Sequence, residues 1–250
     1  MICTLCPRRC GADRRTQTGR CGAGNTLRAA RAALHRWEEP CISGEDPERG
    51  SGTVFFCGCT LGCVFCQNGA ISHGGEGKEI TTERLAEVFL ALQAQGAYNI
   101  NLITPTQYLP WILEALNLCG ERLAIPVLYN TGGYERVEML RLLEGRVQIY
   151  LPDLKYYDSA LSARYSAAPD YFAVAAQALR EMFRQVGPVR FDENGMLQSG
   201  MVVRHLVLPG AHKDSLRLLN WLADNFSPED IRLSLMSQYT PVSYTHLRAH

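Results

Sequence analysis

Residues 57–68 read CGCTLGCVFCQN. Within them Cys59, Cys63 and Cys66 stand at C-x3-C-x2-C spacing, directly after the apolar run VFFC at 54–57. A glycine-containing loop suits such a set, because several thiolates must converge on one inorganic core. Soft sulfur ligands narrow the metal to zinc or iron–sulfur. Three thiolates can hold three irons of a cubane and leave the fourth without a protein ligand. Iron–sulfur clusters are normally fully cysteine-ligated. A missing ligand therefore leaves one iron open to a substrate or cofactor, as catalytic zinc sites keep one position open. Phe65, just before the last cysteine, places an aromatic ring beside whatever occupies that position. The alternative is a zinc knuckle or buried thiols, but a zinc site wants four ligands.

The texture outside this loop repeats. Apolar runs at 54–57, 99–104, 126–131, 147–154, 201–208 and 231–236 suit parallel strands buried on both faces. Amphipathic stretches at 81–96, 108–122, 134–145, 169–187 and 213–226 fall between them and predict helices. Thr81 or Thr82 is the expected N-cap of the first, and Gly96 its end. Strand–helix alternation argues for an α/β fold of repeated β-α units. The segment 188–200 carries Asn194-Gly195 and reads as a hairpin inserted before the fifth strand. Residues 26–36 fit either a short helix or a strand pair.

Composition excludes several classes. The chain has 250 residues, 25 Lys plus Arg against 25 Asp plus Glu, and 46% hydrophobic residues, which is a globular composition. Zero net charge argues against bulk nucleic-acid binding. No apolar run is long enough to span a membrane. MICTLCPRRC has no signal-peptide core, so a cytoplasmic location is expected. The ten cysteines lie at 3, 6, 10, 21, 41, 57, 59, 63, 66 and 119, nine of them in the first 66 residues. In a reducing compartment such clustering points to metal or redox chemistry. Cys3, Cys6, Cys10 and Cys21 form a second group, C-x2-C-x3-C-x10-C, able to satisfy zinc or a second iron–sulfur cluster. Free thiols or a structural clamp are the alternative. CPRRC resembles a Cys-Pro cluster-binding loop. Cys41, Cys57 and Cys119 read as thiols that ligate nothing, although Cys41 could join either group. Domains are expected at 1–50, a Cys- and Arg-rich extension, and at 51–241.

The C-x3-C-x-aromatic-C loop after a first strand resembles the signature of the radical S-adenosylmethionine (SAM) superfamily. CPRRCGADR, EEPCISG, GTVFFCGCTLGCVFCQN, NLITPTQY, LYNTGGYE, YLPDLKYYD, APDYF, VVRHLVLPG and LMSQYTP look like the uncharacterised relatives of pyruvate formate-lyase activating enzyme. The resemblance covers about residues 3–241. It implies a partial (β/α)6 TIM-like barrel with a [4Fe–4S] cluster at the C-terminal strand ends. It also implies SAM chelated to the open iron, and reductive cleavage to methionine and a 5′-deoxyadenosyl radical that abstracts hydrogen from a substrate. The implied partners are an electron donor such as flavodoxin or ferredoxin and a glycyl-radical enzyme. Radical chemistry on another peptide or a small molecule is the alternative, and a non-catalytic iron–sulfur or zinc protein is a third reading.

Carried over residue by residue, the resemblance places Phe65, Asn130, Thr131, Asp153, Lys155 and Arg204 around SAM; a structural salt bridge is the alternative for Arg204, and a surface ion pair for Asp153 and Lys155. Asp153-Leu154-Lys155 matches the relatives' DLK, and Asn130-Thr131-Gly132-Gly133 resembles their Asp-Thr-Asn-Gly stretch. Asn130 stands where they have an acid, so the monovalent cation that an acidic pair could hold there is in doubt. Many relatives bind the SAM amino group with Gly-Gly-Glu after the second strand. Here Gly74-Gly75-Glu76 comes before that strand, and Thr104-Pro105-Thr106 follows it, which leaves Thr104 and Thr106 as candidates. His205 fits a core histidine as well as a site residue. Residues 242–250, VSYTHLRAH, match a translated sequencing adapter and are expected to be non-native.

Overall fold

The computed structural model describes residues 2–73 and 75–239. They form nine strands: β1 (Leu27–His35), β2 (Gly50–Phe56), β3 (Lys78–Ile80), β4 (Ala97–Ile103), β5 (Val127–Thr131), β6 (Ile149–Pro152), β7 (Arg190–Phe191), β8 (Leu197–Leu206) and β9 (Ile231–Met236). All lie in one sheet. Strands β2, β4, β5, β6, β8 and β9 follow one another in parallel and overlap the six apolar runs. The sheet stays open: β3-β1 extends it beyond β2 in antiparallel register, and β9 pairs β8 at the far end. The fold is thus α/β, a partial barrel built on an open, mostly parallel sheet.

The helices are α1 (Pro40–Ser43), α2 (Gly69–Ser72), α3 (Thr82–Ala94), α4 (Leu109–Cys119), α5 (Val137–Leu140), α6 (Ser159–Ser166), α7 (Tyr171–Val186) and α8 (His212–Asn225). Thr81 caps α3, its side chain accepting the Arg84 N–H at 3.1 Å, and Leu85, Phe89 and Leu92 are buried on one face. Among the described residues no helix is long and apolar enough to cross a membrane.

Four segments differ from expectation. The chain at 26–36 is one strand, β1, paired antiparallel to β2 with Ala32 opposite Val54. It adds Leu27 to the main core, so this part of the N-terminal extension shares that core. The helix expected over 134–145 shrinks to α5 and a 3-10 turn at Arg141–Leu143. Its start is taken by Glu135, whose side chain turns inward to the strand ends. Helix α6 was not expected, being short and polar. Asp158 starts it by accepting the N–H groups of Ala160 and Leu161. Strand β2 begins four residues before its apolar run. At Gly52 a Cβ would meet Ala97 Cβ and Asn99 O at 2.9 Å, so β4 approaches too closely for a side chain. The hairpin is present, β7 folding back on β8 with Gly195 at φ +75°.

The inner face explains where the chemistry sits. Strand side chains alternate, so residues two apart share a face. Leu128, Ile149, Leu151 and Val202 pack together in the lower interior with Ile42 and Leu197. Two residues further along their strands come Asn130, Asp153 and Arg204. The interior therefore changes from apolar to polar at the C-terminal ends, the usual place for barrel chemistry.

Candidate active site

Those ends surround a cavity of about 270 Å3, lined by Cys59, Cys63, Phe65, Cys66, Thr104, Asn130, Thr131, Asp153, Lys155 and Arg204 among others. The cysteine loop is held from below. Gln107 donates to the carbonyls of Cys57, Gly58 and Thr104 at 3.0, 3.1 and 2.8 Å. Gly58 has φ +81°, and a Cβ there would lie 2.1 Å from Cys21 O, so only glycine fits this turn.

The thiols make a soft donor set. Burial pushes the Cys59 thiol up to about 12, and the Cys63 thiol adds to it. The Leu61 N–H points at Cys59 Sγ (3.4 Å), Ser166 Oγ donates to Cys63 Sγ (2.9 Å), and Cys66 Sγ meets Ser72 Oγ (3.2 Å). Among the described residues, no three or more His, Cys, Asp or Glu side chains are drawn into the shell of a single metal ion. A cubane makes no such demand, because each thiolate binds a different iron. Buried and half-buried thiols on one loop, with hydrogen-bond partners at their sulfurs, fit an iron–sulfur cluster, whose positive irons would stabilise the thiolates that burial disfavours. Phe65 completes one wall, edge-on to Tyr156, Tyr165 and Tyr239.

Opposite the loop lies a charged network. Lys155 Nζ donates to Asp153 Oδ2 at 2.6 Å, and Arg204 Nε donates to Asp153 Oδ1 at 3.1 Å. Arg204 also reaches Asn130 Oδ1 (2.6 Å) and Glu38 Oε2 (3.1 Å). Burial alone would raise Asp153, but the Lys155 and Arg204 charges outweigh it and hold the carboxyl below its usual range. Burial likewise opposes the Lys155 ammonium, and Asp153 keeps it protonated. Asn130 Nδ2 is buried without a partner, a donor left over for a ligand.

The threonines part company. Thr104 lines the cavity with φ +55°, uncommon for a β-branched residue. Thr106 does not reach the cavity: its hydroxyl donates to Glu135 Oε1 at 2.5 Å. The Thr131 hydroxyl donates to the same oxygen, leaving its remaining surface to the cavity wall. Gly75 and Glu76 do not line the cavity, and Gly74 lies outside the described residues, as do 242–250. His205 is buried, with Nδ1 at Leu154 O (2.6 Å) and Nε2 at Ser215 Oγ (2.8 Å), so both nitrogens have structural partners. Cys3, Cys6, Cys10 and Cys21 stand outside this cavity, and Cys21 lines a separate cleft behind the loop.

Several residues escaped the sequence reading. Glu38 needed its Arg204 partner to be seen, although an acidic pair in an Arg-rich segment was a signal. Tyr171 accepts the Lys155 N–H at 3.0 Å, and its hydroxyl stands 2.9 Å from Gly132 O and 2.8 Å from Asp153 O, tying two strand ends together. Gly133 permits this, since a Cβ there would meet Asp153 O at 2.2 Å.

Glu135 is buried beneath the site, and burial pushes its carboxyl up to about 7 against the help of Thr106 and Thr131. Between its ordinary value near 4.5 and about 7, the folded chain holds a proton that the unfolded chain has lost. This group's contribution to stability therefore falls as pH rises through that window, by about 3 kcal/mol in all. Glu135→Gln should flatten the urea-unfolding free energy between pH 5 and pH 7 relative to wild type. An unchanged slope would count against the assignment.

Comparisons place these features among known proteins. The chain is 28% identical to "Uncharacterized protein MJ0674" of Methanocaldococcus jannaschii over 249 residues, covering 96% of this chain and 66% of that protein. It thus spans just under two thirds of that relative's length. Its fold is similar to methylornithine synthase (PylB), with a TM-score of 0.54 at 17% identity, covering 77% of this chain and 53% of that one. It is also similar to Streptococcus suis SuiB bound to S-adenosylmethionine, with a TM-score of 0.51 at 16% identity, covering 75% and 40%. The model of the radical SAM superfamily matches residues 53–222, well over half the chain and from the strand before the cysteine loop through most of α8. With a match of that extent, this chain belongs to the radical SAM superfamily.

Proposed function

We propose that this chain is a radical SAM oxidoreductase resembling pyruvate formate-lyase activating enzyme. Its substrate would be a glycine Cα–H on a glycyl-radical enzyme partner, and its electron would come from a flavodoxin or ferredoxin. One observation carries the reading: three soft thiols on one loop face the half-buried Lys155–Asp153–Arg204–Asn130 network across a single cavity. When bound, the [4Fe–4S] cluster supplies one electron and an open iron for SAM, whose cleavage yields the hydrogen-abstracting 5′-deoxyadenosyl radical.

The chain's own residues would bind and orient. Cys59, Cys63 and Cys66 hold the cluster. Lys155 and Arg204 offer positive charge to the SAM carboxylate, and Asn130 Nδ2 offers an unused donor. Asp153 keeps both cations in place and can accept from the ribose. Phe65 and the tyrosines around it exclude water from that side. The fold shared with SuiB, whose structure holds SAM, supports that ligand. The NTGG, DLK and CPRRC stretches support the activase-like class.

Anaerobic reconstitution, reduction with dithionite and assay for 5′-deoxyadenosine test the chemistry, and no product from fully loaded protein would remove the reading. A peptide deuterated at glycine Cα tests the substrate, because deuterium should appear in 5′-deoxyadenosine. Lys155→Ala should weaken SAM binding by about 1.5–3 kcal/mol, roughly tenfold or more in affinity. SAM titration followed by cluster EPR measures this, and wild-type affinity would exclude Lys155 from the SAM site.

A further inference from the structure

The four N-terminal cysteines have no role in the cavity, yet the fold gathers them. Ile2 bridges Asp13, and the Cys3 N–H donates to Ala12 O at 2.9 Å, closing the first turn around Cys6 and Cys10. Gly19 and Ala23 close a second turn around Cys21, the Gly19 N–H donating to Ala23 O at 2.9 Å. A Cβ built on Gly19 would stand 3.4 Å from Cys21 Sγ and 3.5 Å from Cys10 Sγ, so two sulfurs flank this glycine. Cys6 and Cys21 act electrostatically on each other, and Cys3 acts on both.

We propose that Cys3, Cys6, Cys10 and Cys21 ligate a second iron–sulfur cluster, docked against the back of the loop that carries Cys59. Four soft ligands in one small fold select a thiophilic metal. Among the described residues no three such side chains converge on a single ion, and a multi-iron core does not require that, because each thiolate binds a different iron. With four protein thiolates the shell is complete, so this centre has no open iron and binds no substrate.

The two thiol sets are mechanically joined. The Cys59 N–H donates to Cys21 O at 3.1 Å. Arg8, between Cys6 and Cys10, donates to the carbonyls of Thr60 (2.8 Å), Leu61 (3.0 Å) and Ser166 (2.6 Å). Loading the N-terminal centre therefore stiffens the loop from which the first cluster hangs.

The test counts metal and needs neither SAM nor activity, so it stands apart from the proposed function. Cys59→Ala/Cys63→Ala/Cys66→Ala protein is reconstituted anaerobically with ferrous iron and sulfide. It should retain about two to four irons per chain with matching sulfide, and an EPR signal that SAM does not move. Adding Cys6→Ser and Cys21→Ser should remove both. A second measurement covers misfolding of that variant. In wild-type protein the exposed Cys10 should be alkylated at least about tenfold more slowly when loaded than after chelation, since a ligated thiolate is no longer a free nucleophile. No iron in the triple variant, zinc alone in it, a Cys10–Cys21 disulfide in anaerobically purified protein, or equal Cys10 alkylation in both states would each overturn the proposal.

Discussion

Alanine at Cys59, Cys63 and Cys66 together should abolish the SAM-responsive EPR signal of the reconstituted protein, not merely weaken it. The three sulfurs sit on one loop anchored through its backbone: the Cys59 N–H with Cys21 O, the Val64 N–H with Tyr165 O, and the Cys57 and Gly58 carbonyls with Gln107. None of these partners places another thiol in the cavity to take over. The variant should still fold, because the loop's anchors are backbone groups and glycine turns that alanine leaves intact. Far-UV circular dichroism should match wild type, while the absorbance and EPR changes on adding SAM disappear. A surviving SAM-responsive signal would show that other residues hold the open cluster.

Removing Arg204 should cost both stability and SAM binding. Its guanidinium joins Asp153, Glu38 and Asn130 where the side chains of Glu38 and Arg204 are only 8% and 18% exposed. Deleting one partner of a buried ion pair leaves the other charge uncompensated, typically costing about 3–5 kcal/mol. For a chain of this size that is a fall in Tm on the order of 10 °C. Asp153 keeps Lys155 in Arg204→Ala, so the orphan charge is Glu38. Adding Glu38→Gln should therefore recover part of the lost stability while SAM affinity stays low. Thermal unfolding and SAM titration separate the two effects. If the double variant is less stable than Arg204→Ala, Glu38 is not the destabilised charge.

The sequence by itself determined the cluster loop, the six parallel strands and the placement of Asn130, Asp153 and Arg204 at their ends. Those features are local. The C-x3-C-x2-C spacing is read along a dozen residues, and a strand buried on both faces shows itself as a continuous apolar run. Alternation along each strand then carries the polar residue to the same inner face as the apolar ones before it. Only the tertiary structure decided the remainder, because those choices depend on groups far apart in the chain. Glu38 became a site-forming residue by meeting Arg204 across 166 positions. Thr106 was withdrawn from the cavity by Glu135, and the same inward turn of Glu135 cut short the helix expected over 134–145. Residues 26–36 chose a strand because β2 offered an unpaired edge. The N-terminal cysteines, whose spacing left zinc and a second iron–sulfur cluster open, were brought against the cysteine loop through Arg8 and Cys21. In each case the deciding energy was a buried charge, a buried donor or an unpaired backbone edge, which exists only once distant segments have come together.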